Sequence, residues 1–152
     1  MRMDESADRA AIVAAAREWI GTPYVHCADI RQVGVDCAML LVRVFVDLGL
    51  CEAFDPRPYS PDWHLHRGEE RYLGLLLARA HEVAEPLPGD VILFRYGRCF
   101  SHGGIVTQLD PLTLIHAFHP AGIVLEEEIG GNAELAERLS EARFASYWGT
   151  QS

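Results

Sequence analysis

The sequence has no apolar run near the roughly 20 residues of a membrane-spanning helix; its unbroken apolar stretches reach about six, Cys37–Val42 among them. It is also poor in positive charge, with 13 Lys and Arg against 22 Asp and Glu and a formal net charge of −9. Phosphate backbones are gripped by clustered Lys and Arg, so nucleic acid is excluded as the main partner. The opening Met1-Arg2-Met3-Asp4-Glu5 carries acid where a secretory leader places positive charge ahead of an apolar stretch. No signal peptide is expected, and synthesis in the cytoplasm is. Cysteine is scarce and irregularly spaced: Cys27, Cys37, Cys51 and Cys99 make neither a paired CxxC zinc pattern nor a dense disulfide framework. Reduced thiols are the expectation.

What remains is an ordinary globular composition, 49% hydrophobic and 23% charged over 152 residues. That is one domain, 1–152, long enough for a real core. Ile12, Ala15, Ala16, Trp19 and Ile20 make an apolar stripe that predicts a helix over Asp8–Ile20, ended by Gly21-Thr22-Pro23. Asp36 stands before a second periodic run, Cys37 to Leu48, stopped by Gly49. Asp36 is thus the expected N-cap and Cys37 the first helical residue. The stretch Cys51–Gly68 is rich in Pro, aromatics and His, and a third helix is expected over Glu69–Ala84. After Pro88-Gly89-Asp90 the period changes to that of strands: Val91–Tyr96, Gly104–Gln108, Leu112–Phe118, Ile123–Glu127 and Phe144–Trp148, with a short helix at Asn132–Leu139. Helices first and closely spaced strands afterwards predict an α+β domain with an antiparallel sheet.

Two readings stand for Cys37. A thiol at a helix start faces unpaired backbone N–H groups and the positive end of the helix dipole, which favour thiolate. It is equally readable as a small buried hydrophobe on the helix's inner face. The other cysteines read as packing. His102 and His116 also carry two readings. If Leu109-Asp110-Pro111 is a three-residue hairpin loop, Gly104 faces His116 and His102 lies further along on the same face. An even loop puts the two on opposite faces. Side by side, one imidazole can serve as the base for a thiol while the other orients it; otherwise they are half-buried sheet residues. Cys27, Cys37, His102 and His26 offer zinc-ligand types, but no local pair has the close spacing of a structural site. His64 and His66 beside Trp63 read as a solvated loop or a cleft lining, His81 as surface near Glu82, and His119 as a bystander at a strand end. Glu126-Glu127-Glu128 reads as a solvated edge.

Five blocks in order, Trp19-Ile20-Gly21-Thr22-Pro23-Tyr24, Gly34-Val35-Asp36-Cys37, Pro88-Gly89-Asp90-Val91, Ser101-His102-Gly103-Gly104-Ile105 and Ile115-His116-Ala117, resemble the NlpC-type, papain-like cell-wall cysteine peptidases. The resemblance runs from about Arg17 to Phe118. It implies a papain-like core, N-terminal helices packed on a C-terminal antiparallel sheet. It implies Cys37 as nucleophile, His102 as general base and His116 as the polar residue fixing the imidazole. Tyr24, beside the thiol, belongs with Asp36 and Ser101 to a substrate-binding and oxyanion set. The implied substrate is the peptide of bacterial peptidoglycan stems, cut with no metal or organic cofactor and with no membrane span. The segment Pro58–Arg67 resembles the branch found with phage tails and gene-transfer particles, which would make phage tail proteins partners and a phage-like particle the delivery route. The same fold also serves acyltransferases and amidases on other substrates, and a tail-tip structural role is a further alternative. Two departures border the pocket and bear on specificity: Ala38-Met39 where the family has Ser-Gly, and His26-Cys27-Ala28 where many members carry Trp-Gly-Gly.

Overall fold

In the computed structural model, residues 4–55, 78–97 and 99–148 are described. Helix α1 (Glu5–Arg17) begins where Asp4 accepts a hydrogen bond from the Ala7 N–H at 3.0 Å. It starts and stops earlier than the stripe predicts. Residues 18–20 form a turn closed by Gly21 at φ +89°, a conformation that favours glycine, and Ile20 is exposed instead of joining Ile12, Ala16 and Trp19 in the core. A two-residue hairpin, β1 (Asp29–Ile30) and β2 (Gly34–Val35), leads into α2 (Cys37–Asp47). Asp36 caps α2 as expected, its Oδ1 accepting from the Met39 N–H at 2.9 Å. Such a cap contributes about 1 kcal/mol.

The sheet contains β3 (His81–Val83), β4 (Val91–Tyr96), β5 (Cys99–Leu109), β6 (Leu112–Phe118), β7 (Ile123–Glu128) and β8 (Arg143–Ser146). Their order is β3-β8-β4-β5-β6-β7, and every pair is antiparallel. A short helix, α3 (Ala133–Arg138), capped by Asn132, precedes β8. The predicted helix over Glu69–Ala84 does not continue through its last residues. His81–Val83 instead pairs with Ala145 and its neighbours on β8, because the apolar helical period ends at Ala80 and an open strand edge offers backbone partners. Residues 69–77 of that expectation lie outside the described residues, as do the Pro58–Arg67 segment, His64 and His66.

Alternation along the strands builds two cores. Val91, Leu93, Ile105, Ile115 and Ala117 pack beneath α1 and α2 with Met39, Leu40 and Phe45. Ile92, Phe94, Val106, Leu114 and Phe118 face the other way, toward Leu135 of α3. The arrangement is therefore α1 and α2, sheet, α3. Helix α1 is locked to the sheet by Arg9, whose guanidinium donates to Asp90 Oδ1 at 2.8 Å and lies 4.3 Å from the Trp148 ring centre. Among the described residues no helix is long and apolar enough to cross a membrane.

Strand β5 carries two irregularities that matter for the site. Phe94 pairs with His102 but Arg95 with Phe100, so Ser101 is an extra residue against β4. On its other edge Val106 pairs with Leu114 but Gln108 with Thr113, so Thr107 is extra against β6. Each is a β-bulge, which inserts a residue and re-aims those beyond it.

Candidate active site

The turn between β5 and β6 is shorter than expected: Leu109 pairs with Leu112, leaving only Asp110 and Pro111 between them. On its own that even count would send His102 and His116 to opposite faces. The Thr107 bulge reverses the parity once more, so Ile105 faces Ile115 in the register that the three-residue loop would have produced. The two histidines consequently share a face. His102 Nε2 lies 2.8 Å from His116 Nδ1. Gly104 makes this approach possible, since a Cβ there would stand 2.8 Å from the Ile115 carbonyl oxygen and 3.0 Å from His116 Cβ. Here glycine is required for space, not for its φ.

Cys37 arrives from the other side of the sheet, at the first turn of α2, and meets the bulge at Ser101. Its thiol donates to the Ser101 carbonyl at 3.7 Å. The Tyr24 hydroxyl also hydrogen-bonds the sulfur, and the backbone N–H groups of Gly103 and Ala38 point at it. Cys37 and His102 open into one cleft together with Tyr24, His26, Ser101, Tyr96, Phe118, His119 and Glu134. His116 lies behind them, fully buried. Its ring stacks on Phe118 at 4.8 Å between centroids, and the His102 ring sits 6.1 Å from Phe94 and 5.7 Å from Phe118.

This apolar enclosure sets the protonation states. Burial, aided by His116, holds His102 well below the usual imidazole value, and burial holds His116 down to about 3. Burial, and then the Asp36 carboxylate, pushes the Cys37 thiol up to about 12, against the favourable pull of Tyr24, Gly103 and Ala38. The helix start alone therefore does not hold the sulfur as a thiolate. Desolvation and an adjacent carboxylate outweigh the backbone N–H groups, and at rest the thiol and the imidazole of the cleft are both neutral.

Several expected residues take different places. Asp36 is buried and does not line the cleft: besides capping α2, its Oδ2 accepts from the Cys27 N–H at 2.7 Å. Ser101 contributes its carbonyl through the bulge. His119 is no bystander, since it lines the cleft and meets the Tyr24 ring edge-on at 5.2 Å. The fold does not gather Cys27, Cys37, His102 and His26 into one ligand set. Among the described residues His26, Cys27 and Asp36 come together, with His26 Nε2 3.3 Å from the Cys27 sulfur, while Cys37 and His102 stand outside that group.

The acidic run is not simply a solvated edge either. Glu126 pairs with Arg17 at 3.0 Å, and Glu127 reaches inward, its Oε2 2.7 Å from His116 Nε2. Asn132 donates to the same oxygen at 3.0 Å. Because His116 faces Leu125, Glu127 is its diagonal neighbour on one face of the sheet, a relation readable only once that register is known. Tyr96 and Glu134 carry no local sequence signal; the Tyr96 hydroxyl donates to the Glu134 carboxylate across the cleft wall, with Arg138 4.1 Å from the Tyr96 ring centre.

Neither a protein-family model nor a curated protein matches the sequence. Solved structures do resemble it. The NlpC/p60 domain of the peptidoglycan hydrolase SagA superposes with a TM-score of 0.57 at 22% identity, over 90% of this chain and 96% of that one. NlpC1 from Trichomonas vaginalis superposes with a TM-score of 0.58 at 16% identity, over 86% of this chain, which spans only 42% of the NlpC1 chain. With helices α1 and α2 laid on an antiparallel sheet and a cysteine at the start of the second, this chain has the papain-like fold of the NlpC/p60 domains.

Proposed function

We propose that this chain is a cysteine peptidase of the NlpC type that hydrolyses amide bonds in peptidoglycan stem peptides. The observation that carries the reading is the set of groups at one cleft: a thiol at a helix start and an imidazole that line it together, with a second imidazole 2.8 Å from the first. The fold shared with a domain of a peptidoglycan hydrolase supports it.

With both groups neutral at rest, His102 takes the Cys37 proton as the sulfur attacks the substrate carbonyl. The imidazolium then returns that proton to the leaving amine. Water, deprotonated by the same imidazole, releases the acyl group from the sulfur. Backbone N–H groups at the first turn of α2 stabilise the developing oxyanion, together with the Tyr24 hydroxyl that hydrogen-bonds the sulfur. No step calls for a metal or an organic cofactor. Delivery on a phage-like particle belongs to the same reading and rests on the resemblance of Pro58–Arg67.

Purified sacculi digested with the protein, followed by mass identification of the products, test the proposal. Stem-peptide fragments released by the wild type but not by Cys37→Ala, and unaffected by a chelator, are expected. Fragments that persist with Cys37→Ala, or vanish with chelator and return with zinc, would overturn it.

A further inference from the structure

We propose that Glu127, held by Asn132, is a positioning residue that selects the tautomer of both histidines and so leaves Nδ1 of His102 as the unprotonated, basic nitrogen; this rests on the peptidase reading above. One carboxylate oxygen collects two donors. Glu127 Oε2 receives His116 Nε2 at 2.7 Å and Asn132 Nδ2 at 3.0 Å. A carboxylate only accepts, so His116 Nε2 carries the hydrogen. A neutral imidazole has a single N–H, which leaves His116 Nδ1 as an acceptor. The nitrogen 2.8 Å from it, His102 Nε2, must then donate. His102 has spent its own N–H in doing so, and its Nδ1 keeps the free lone pair that a base needs. Without Glu127, the His116–His102 bond could be made equally well with the hydrogen reversed. His102 would then present a protonated Nδ1 and could not accept from a thiol.

Asn132 gives the arrangement its rigidity. Its Nδ2 holds Glu127, while its Oδ1 accepts from the Leu135 N–H at 3.2 Å and starts α3. That helix carries Glu134, which holds Tyr96 in the cleft wall. The cap of one short helix therefore ties the orientation of the base to the shape of the cleft.

The test uses histidine-labelled full-length protein, with tautomers read from the ring nitrogen shifts and kinetics measured on stem-peptide substrate. In the wild type, Nε2 of both His102 and His116 should show the protonated signature and Nδ1 the unprotonated one. Glu127→Gln should keep this pattern, because the Asn132 and His116 donors both demand its amide oxygen, and should recover most of the turnover. Glu127→Leu should mix the tautomers and lower kcat by about 10–100-fold with KM little changed, less than the roughly 10²–10⁴-fold contribution of a general base itself. Asn132→Asp, which retains the cap but sets carboxylate against carboxylate, should also disturb the tautomers and serves where Glu127→Leu does not fold. Wild-type tautomers and kcat in Glu127→Leu or, where that does not fold, in Asn132→Asp would overturn the proposal. Turnover surviving in Cys37→Ala or His102→Ala would instead overturn the peptidase reading, and the nitrogen shifts would still report on Glu127.

Discussion

Lowering the pH from 7 to 5 should weaken the fold before the ordinary carboxylates titrate. His116 has no solvent exposure and is held down to about 3, whereas in the unfolded chain its imidazole titrates near 6.5. Stability from this group is complete above about pH 6.5. It falls as pH drops toward the folded value, because the unfolded chain takes up a proton that the native one refuses, and it levels off below that value. One such proton is worth about 1.4 kcal/mol per pH unit, so His116 alone removes about 2 kcal/mol between pH 6.5 and 5. His102, held low by the same burial, acts in the same direction. Against a typical total of about 5–15 kcal/mol this is a large share. The Glu126 carboxylate, kept low by Arg17, titrates beneath this window and does not confuse it. Urea unfolding followed at about pH 7.5, 6 and 5 measures the effect. His116→Asn, which removes one titrating group, should flatten the slope. A midpoint that stays level or rises between pH 7 and 5 would refute the reasoning, since it would mean that Glu127 holds His116 as a cation.

The same burial predicts a rate profile: kcat/KM should hold steady as pH falls through 6.5, because His102 stays unprotonated there, and an acid limb centred near 6.5 would contradict it. Gly104→Ala should cost about 1–3 kcal/mol by overpacking and should depress turnover, because the new methyl meets the Ile115 carbonyl oxygen at 2.8 Å and His116 Cβ at 3.0 Å; a variant as stable as wild type would show that the two strands have room to part. Arg9→Met should cost about 3 kcal/mol by leaving Asp90 buried without its partner. Its turnover below the melting temperature should be unchanged, as a thermal melt paired with a peptide assay would show.

Local signals in the chain determined a good deal. Asp36 ahead of an apolar run specified both the cap and the first turn on which Cys37 stands, because a cap is a relation between residues three apart. Strand alternation marked β4 and β6 closely, and Asn132 marked the start of α3. Other features were decided only by the tertiary structure. His81–Val83 became a strand because β8 lies alongside it. The shared face of His102 and His116 depends on two departures that cancel, a short turn and the bulge at Thr107, and neither is encoded by a pattern within β5 alone. Glu127 reads in sequence as one of three solvated acids because its partner stands on another strand, two positions out of register. The protonation of Cys37 depended least on local sequence. A helix start argues for thiolate, but how far a sulfur is removed from water is a property of everything packed around it, and here that removal prevails.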